Sequence, residues 1–138
     1  MGETTSLRPG VPFLAAVVAL LLPLAVPHAA DGDAARGERA FLRCYSCHSV
    51  DPNETAKLQG PSLYRIVGRP AASIAGFDYS DAMLEKAAAG LVWDRATLER
   101  YIADPEAMLP GTRMSVPPLR DEQERADIVA YLARSGRR

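Results

Sequence analysis

The feature that most constrains this chain is a run of five residues, C-Y-S-C-H at positions 44–48. It holds both of the cysteines in the 138-residue sequence. A helical turn brings two thiols at this spacing to one side, where each can form a thioether with a vinyl group of one haem. His48 then falls where its imidazole can bond the iron. The pattern predicts a single, covalently attached haem c on Cys44 and Cys47, with His48 as an axial ligand.

Other interpretations of the two cysteines fit less well. A structural zinc site needs four ligands, whereas the chain after residue 30 offers two cysteines and one histidine. A thioredoxin-like pair needs a βαβ context, and no run of residues alternates with the period of a strand. A disulfide across a two-residue gap would close a small loop and stabilise little.

The first thirty residues differ from the rest of the chain. Positions 11–27 carry no charge and are rich in Leu, Val and Ala, and small residues at 29–30 precede the charged start of the remaining sequence. This pattern predicts a signal peptide over 1–30 and a domain over 31–138. A retained membrane anchor is the alternative, although three prolines interrupt a run somewhat short of the about 20 residues that span a membrane. We expect a bacterial periplasmic protein, soluble or, less favoured, anchored to the membrane through its leader.

The second axial ligand can be narrowed by elimination. His28 belongs to the predicted leader, so a second histidine is excluded and a methionine or an open position remains. Met83 lies in a helical stretch and Met108 follows a predicted helix end, where methionine is usually core packing. Met114 lies in a loop that contains Pro110 and Gly111, which can bring a thioether to the haem. Met114 is therefore the predicted ligand.

Apolar spacing and capping residues predict four helices, over about 33–47, 81–89, 93–103 and 121–134. Gly and Pro mark the long loops between them, and strands are expected to be few or absent. The fold class is therefore all-α, with short helices and long loops around the haem. The charges nearly balance, at 16 Lys and Arg against 17 Asp and Glu, which argues against a general nucleic-acid binder.

From about residue 32 to 134 the chain resembles the small monohaem cytochrome c family of mitochondria and proteobacteria. Besides the haem motif, the matching segments occur in the family's order: G-E-R-A-F at 37–41, G-P-S-L at 60–63, G-R at 68–69, G-F-D-Y-S-D-A at 76–82, Trp93, Y-I-A-D-P at 101–105, L-P-G-T-R-M at 109–114 and R-A-D-I-V-A-Y-L at 125–132. The resemblance implies the cytochrome c fold.

The same resemblance implies roles for individual residues. The Pro61 carbonyl would accept a hydrogen bond from His48 and orient its ring. Arg69, Tyr79 and Trp93 would surround the haem propionates, which need donors or a cation.

Beside the second ligand, the resemblance implies that Tyr101 directs its hydroxyl towards the Met114 sulfur. Val116 stands where many relatives have Phe at the exposed haem edge. The chain has only two lysines after the leader, so the lysine ring of mitochondrial relatives is missing. Three arginines could form a smaller basic patch in its place: Arg43, Arg65 and Arg113.

Two protein ligands would leave the iron no site for substrate, so the resemblance implies an electron-transfer protein and not an enzyme. We expect a monomeric one-electron carrier that meets its donor and acceptor transiently. It would contact the membrane only if the leader is retained. One alternative is a dedicated electron-transfer subunit of a periplasmic oxidoreductase complex. Another is a haem enzyme or gas sensor with open iron, in which Met114 would not bind.

Overall fold

The computed structural model describes residues 1–2 and 31–136, so the predicted signal peptide lies almost entirely outside the described residues. The described chain is mostly helical, which confirms the all-α prediction. In chain order its helices are α1 (Ala34–Ala40), a 3₁₀ turn (Phe41–Arg43), α2 (Asp81–Ala88), α3 (Arg95–Ala103), α4 (Pro105–Met108) and α5 (Glu122–Arg134). None of these helices is long and apolar enough to cross a membrane.

Two strands of two residues each form a small antiparallel ladder, β1 (Arg69–Pro70) with β2 (Val92–Trp93). Arg69 pairs directly with Trp93 in this ladder. The pairing brings together two long loops, one before α2 and one before α3.

Two helices differ from the sequence predictions: α1 is shorter than expected, and α4 was not expected. The helix expected over 33–47 ends at Ala40, continues as the 3₁₀ turn and then becomes turns through Cys47. Met108, expected to follow a helix end, is the last residue of the unpredicted α4. That helix forms because the Asp104 side chain accepts from Ala107 N at 3.0 Å and Pro105 occupies the first helical position.

Side-chain capping fixes where each α-helix begins. The carboxylate or hydroxyl before each helix accepts a hydrogen bond from a backbone N–H of the first turn, which otherwise has no helical partner. These capping residues are Asp33, Ser80, Asp94, Asp104 and Asp121.

The first and last helices cross closely. Gly37 of α1 is buried, and a methyl group there would collide with the Asp127 carbonyl of α5, so only glycine permits this approach. Phe41 and Val129, both fully buried, fill the core beside the crossing. The crossing lies immediately before the haem motif in the sequence, and α5 therefore supports the segment that carries the cysteines.

Candidate haem-attachment site

The C-Y-S-C-H motif forms a tight turn directly after the 3₁₀ segment. The Cys44 carbonyl accepts hydrogen bonds from Cys47 N at 3.1 Å and His48 N at 2.9 Å. Both cysteines are unpaired and half-buried, and burial raises the pKa of the Cys44 thiol. The turn thus presents two free thiols and an imidazole from one short segment, which is the donor set that a c-type haem requires.

His48 is held in one tautomer by a backbone carbonyl. Its Nδ1 lies 2.7 Å from the Pro61 carbonyl oxygen, and because a carbonyl only accepts, Nδ1 must donate. Burial lowers the pKa of His48, while the bond to Pro61 acts in the opposite direction. A neutral ring protonated at Nδ1 carries its lone pair on Nε2. The hydrogen bond implied by the family resemblance is therefore present, and it leaves Nε2 available as a ligand.

Gly60 completes the support of the imidazole. Its N–H donates to the Cys47 carbonyl at 2.8 Å, and a methyl group at this position would collide with the His48 ring. Residue 60 must therefore be glycine for the loop to approach so closely. Sequence reasoning used the Gly60-Pro61 pair to mark a loop and a family match, but it gave Gly60 no role of its own.

Met114 is half-buried at the end of a tightly bonded turn. Thr112 N donates to the Leu109 carbonyl at 3.0 Å, and Met114 N donates to the Thr112 hydroxyl at 3.2 Å. The Tyr101 hydroxyl also bonds the Thr112 hydroxyl.

The expected direction of the Tyr101 hydroxyl towards the Met114 sulfur stays a prediction, because a hydroxyl that bonds Thr112 still has capacity for a second hydrogen bond. The bond that the structure shows joins Tyr101 to Thr112, two residues before Met114. Tyr101 therefore acts on the Met114 loop through Thr112, a residue that sequence reasoning did not select.

The three predicted propionate neighbours lie on adjoining loops. The half-buried Arg69 donates to the Ser62 and Tyr64 carbonyls at 2.6 and 2.9 Å, which uses two of its five N–H groups. Burial lowers the pKa of Arg69, and the Tyr79 phenol acts in the opposite direction. The remaining donors of Arg69 suit a carboxylate.

The other two members of this group are also placed by contacts. Trp93 lies opposite Arg69 in the ladder and is buried with its ring 5.1 Å from that of Tyr101. The Tyr79 hydroxyl accepts from Ile74 N at 3.2 Å. A partly buried group of side chains with one cation and several donors fits the propionate groups of a haem.

The proposed basic patch is not supported by the contacts of its members. Arg43 forms an ion pair with Glu124 at 2.8 Å, and Arg113 forms one with Asp78 at 2.7 Å. The third member, Arg65, donates from Nε to the Gly136 carbonyl at 3.1 Å. Sequence reasoning missed these pairs because each joins residues far apart in the chain.

An all-α fold that presents two thiols beside an oriented imidazole defines a c-type cytochrome. A family model described as "Cytochrome c" matches residues 34–135. Cytochrome c2 of Rhodomicrobium vannielii is 43% identical over 120 residues, covering 87% of this chain and 92% of that protein. Cytochrome c2 of Blastochloris viridis is 40% identical over 112 residues, covering 81% and 85%. The solved structure of cytochrome c2 from Rhodospirillum centenum matches with a TM-score of 0.70 and 36% identity, over 76% of this chain and 99% of that one.

The chain belongs to the cytochrome c family. It is an electron-transfer protein and not an enzyme, and its cofactor is one covalently attached haem c. These findings agree with the fold class and the cofactor predicted from the sequence.

Proposed function

We propose that this protein is an exported, periplasmic one-electron carrier whose haem is bonded to Cys44 and Cys47 and ligated by His48 and Met114. The observation that carries the proposal is the hydrogen bond from His48 Nδ1 to the Pro61 carbonyl at 2.7 Å. It fixes the ring, selects the tautomer and strengthens the imidazole as a donor to a metal. The contact of Gly60 with the same ring supports this role.

The haem supplies reversible one-electron chemistry when bound. The two protein ligands limit the iron to electron transfer, because they leave no coordination position for a substrate. A thioether from Met114 favours the reduced state and raises the potential. The Tyr101–Thr112–Met114 hydrogen bonds support this assignment, since they hold the ligand loop in one conformation.

The proposed location rests on the sequence of residues 1–30, which has the pattern of a signal peptide. The chain would act as a monomer that meets its donor and acceptor briefly, since redox interfaces are small and weak. A dedicated subunit of a periplasmic oxidoreductase complex is the second candidate. Its support is the exposed apolar run from Val116 to Pro118, where Val116 keeps 44% of its surface accessible.

The ligand assignment is tested by the far-red absorption of the oxidised holoprotein in wild type, Met114→Ala and Met108→Ala. Ferric haem with a thioether ligand has a weak charge-transfer band in this region. We expect the band in wild type and in Met108→Ala, the matched control, and its loss in Met114→Ala. A wild type without the band that binds cyanide at once would refute the closed carrier in favour of an open-iron sensor or enzyme.

A further inference from the structure

Each of the two proposed haem-binding segments has an arginine immediately before its binding residue. Arg43 precedes Cys44, and Arg113 precedes Met114. Both arginine side chains are exposed, each with 59% of its surface accessible. Two uncompensated cations beside the haem would give a positive surface that attracts acidic partners.

The structure shows that both charges are compensated. Arg43 Nη2 lies 2.8 Å from Glu124 Oε1, which comes from the first turn of α5. Arg113 Nη1 donates to the Asp78 carboxylate at 2.7 Å and also to the Asp78 carbonyl at 2.8 Å. Exposed pairs of this kind contribute little to stability. At a longer range, however, the opposite charges of each pair cancel, so neither pair attracts a charged partner.

Apart from these two arginines, the exposed residues between the cysteines and just after Met114 carry no charge. We call them the haem-flanking surface: Tyr45, Ser46, Val116, Pro117 and Pro118. Both parts border the same haem, because one part lies between the two cysteines and the other follows Met114.

The aromatic member of the haem-flanking surface is fixed in place. The Tyr45 hydroxyl lies 2.8 Å from that of Tyr131, and the Tyr45 ring meets Phe41 edge-on at 4.8 Å. Tyr45 as a whole still keeps 41% of its surface accessible. A rigid, partly exposed tyrosine offers contact area to a partner with little loss of conformational entropy.

One lysine lies on the loop that reaches Cys47. Lys57 is exposed two residues before Gln59, whose amide oxygen lies 3.6 Å from Cys47 Sγ. The carboxylate of Glu54 stands on the same loop. The other lysine after the leader, Lys86, belongs to α2.

We propose that the haem-flanking surface docks a redox partner whose own contact patch is uncharged and apolar, with Arg43 and Arg113 neutralised by Glu124 and Asp78. This inference rests on the proposed function, which places the haem at these segments. It predicts that association is driven by apolar burial and depends weakly on salt. An acidic partner that needs a positive surface is the alternative that the experiment can detect.

The test compares oxidation of the reduced holoprotein by ferricyanide, an anion, and by tris(phenanthroline)cobalt(III), a cation, between 10 and 500 mM salt. The ratio of the two rate constants reports the local charge at the site of electron exit. For wild type we expect this ratio to change less than about threefold. Glu124→Gln and Asp78→Asn each release one cation, and each should speed the ferricyanide reaction by about fivefold at 10 mM but less than twofold at 500 mM.

The matched control is Glu38→Gln, which removes one negative charge from an exposed position on α1. It should leave the ratio as in wild type. A wild-type ratio that falls by more than about threefold with salt would overturn the inference and indicate a basic surface for an acidic partner. Equal effects of all three variants would also overturn it, because net charge would then explain the rates.

A second measurement does not depend on electron transfer. The redox-inert anion hexacyanochromate broadens amide NMR signals close to unpaired cations. We expect selective broadening near residue 43 in Glu124→Gln and near residue 113 in Asp78→Asn, and none at either place in wild type. The far-red band of the same samples separates the two proposals: its absence overturns the ligand assignment, whereas salt dependence with the band present overturns only the uncharged surface.

Discussion

Replacing Asp127 with Asn should destabilise the protein more than any surface change of equal charge. Asp127 is only 4% exposed and lies on α5, at its crossing with α1. Its carboxylate accepts from Asp33 N at 2.7 Å, from Arg36 Nε and Nη2 at 2.7 and 2.9 Å, and from Gln123 Nε2 at 3.0 Å. The substitution removes the charge and turns one oxygen into an NH₂ group that faces donors.

The size of the loss follows from these contacts. Removing one partner of a buried, hydrogen-bonded ion pair costs about 3–5 kcal/mol. The Arg36 side chain is 50% exposed and can turn to water, so we take the lower end, about 3 kcal/mol. In a domain of about a hundred residues this lowers the melting temperature by about 15 °C.

The pH dependence of the stability loss identifies the Asp127 charge as the source of that loss. The hydrogen bonds from Arg36 hold the pKa of Asp127 well below its ordinary value of 3.8. A carboxyl group whose pKa is lowered by folding contributes stability above its unfolded pKa and loses it as pH falls through the folded one. The gap between wild type and Asp127→Asn should thus be constant from about pH 5 to 7 and narrow below about pH 4.

Urea unfolding of the holoprotein measures this gap through the fluorescence of Trp93, the single tryptophan of the chain. Glu122→Gln is the matched control, because it removes one charge from an exposed position on the same helix and should cost less than about 0.5 kcal/mol. A gap below about 1 kcal/mol at pH 7, or one that stays constant down to about pH 2.5, would refute the reasoning.

Three further predictions concern the haem site and its loops. Gly60→Ala should push the His48 ring aside and lower the fraction of chain that matures with haem, measured by absorbance per protein; a normal yield with a normal spectrum would contradict the close contact. Ala72→Gly should stabilise the protein by about 0.5 kcal/mol in urea unfolding, because Ala72 has φ +52°, which glycine adopts without strain; a loss of stability would contradict this. Tyr101→Phe removes the bond to Thr112 and should raise the affinity of the ferric protein for cyanide by about fivefold, with Tyr64→Phe as control. An unchanged affinity would mean that this bond does not hold the Met114 loop.

Local signals in the sequence predicted most of the elements. Helices α2, α3 and α5 form within two residues of their predicted bounds, because capping residues and apolar spacing act within a few positions. The Asp104-Pro105 pair carries the same kind of signal for α4, a helix that the sequence analysis does not predict. Arg65 and Ala72 could not be predicted in this way, since both adopt the left-handed conformation that usually selects glycine.

In the candidate site, too, local sequence signals predicted some residues and not others. The cysteines, His48 and Met114 could be proposed because a short motif and one loop contain all of them. The partners that orient them could be inferred only by resemblance, and the resemblance gave no role to Thr112, which bonds the Tyr101 hydroxyl. Side-chain direction is set by packing among segments distant in the chain, which no local pattern reports.

The last helix carries much of the support for the haem motif. It contacts the segment before and within the motif at three positions along its length. Asp127 bonds Arg36, Glu124 bonds Arg43, and Tyr131 bonds Tyr45. These contacts join positions more than 80 residues apart, so the segment that carries the motif receives part of its support from the far end of the chain. The final helix therefore matters to the haem although it carries neither of the cysteines and none of the proposed iron ligands. Through Arg36, Arg43 and Tyr45 it supports the segment from which the proposed ligand His48 and the two cysteines project.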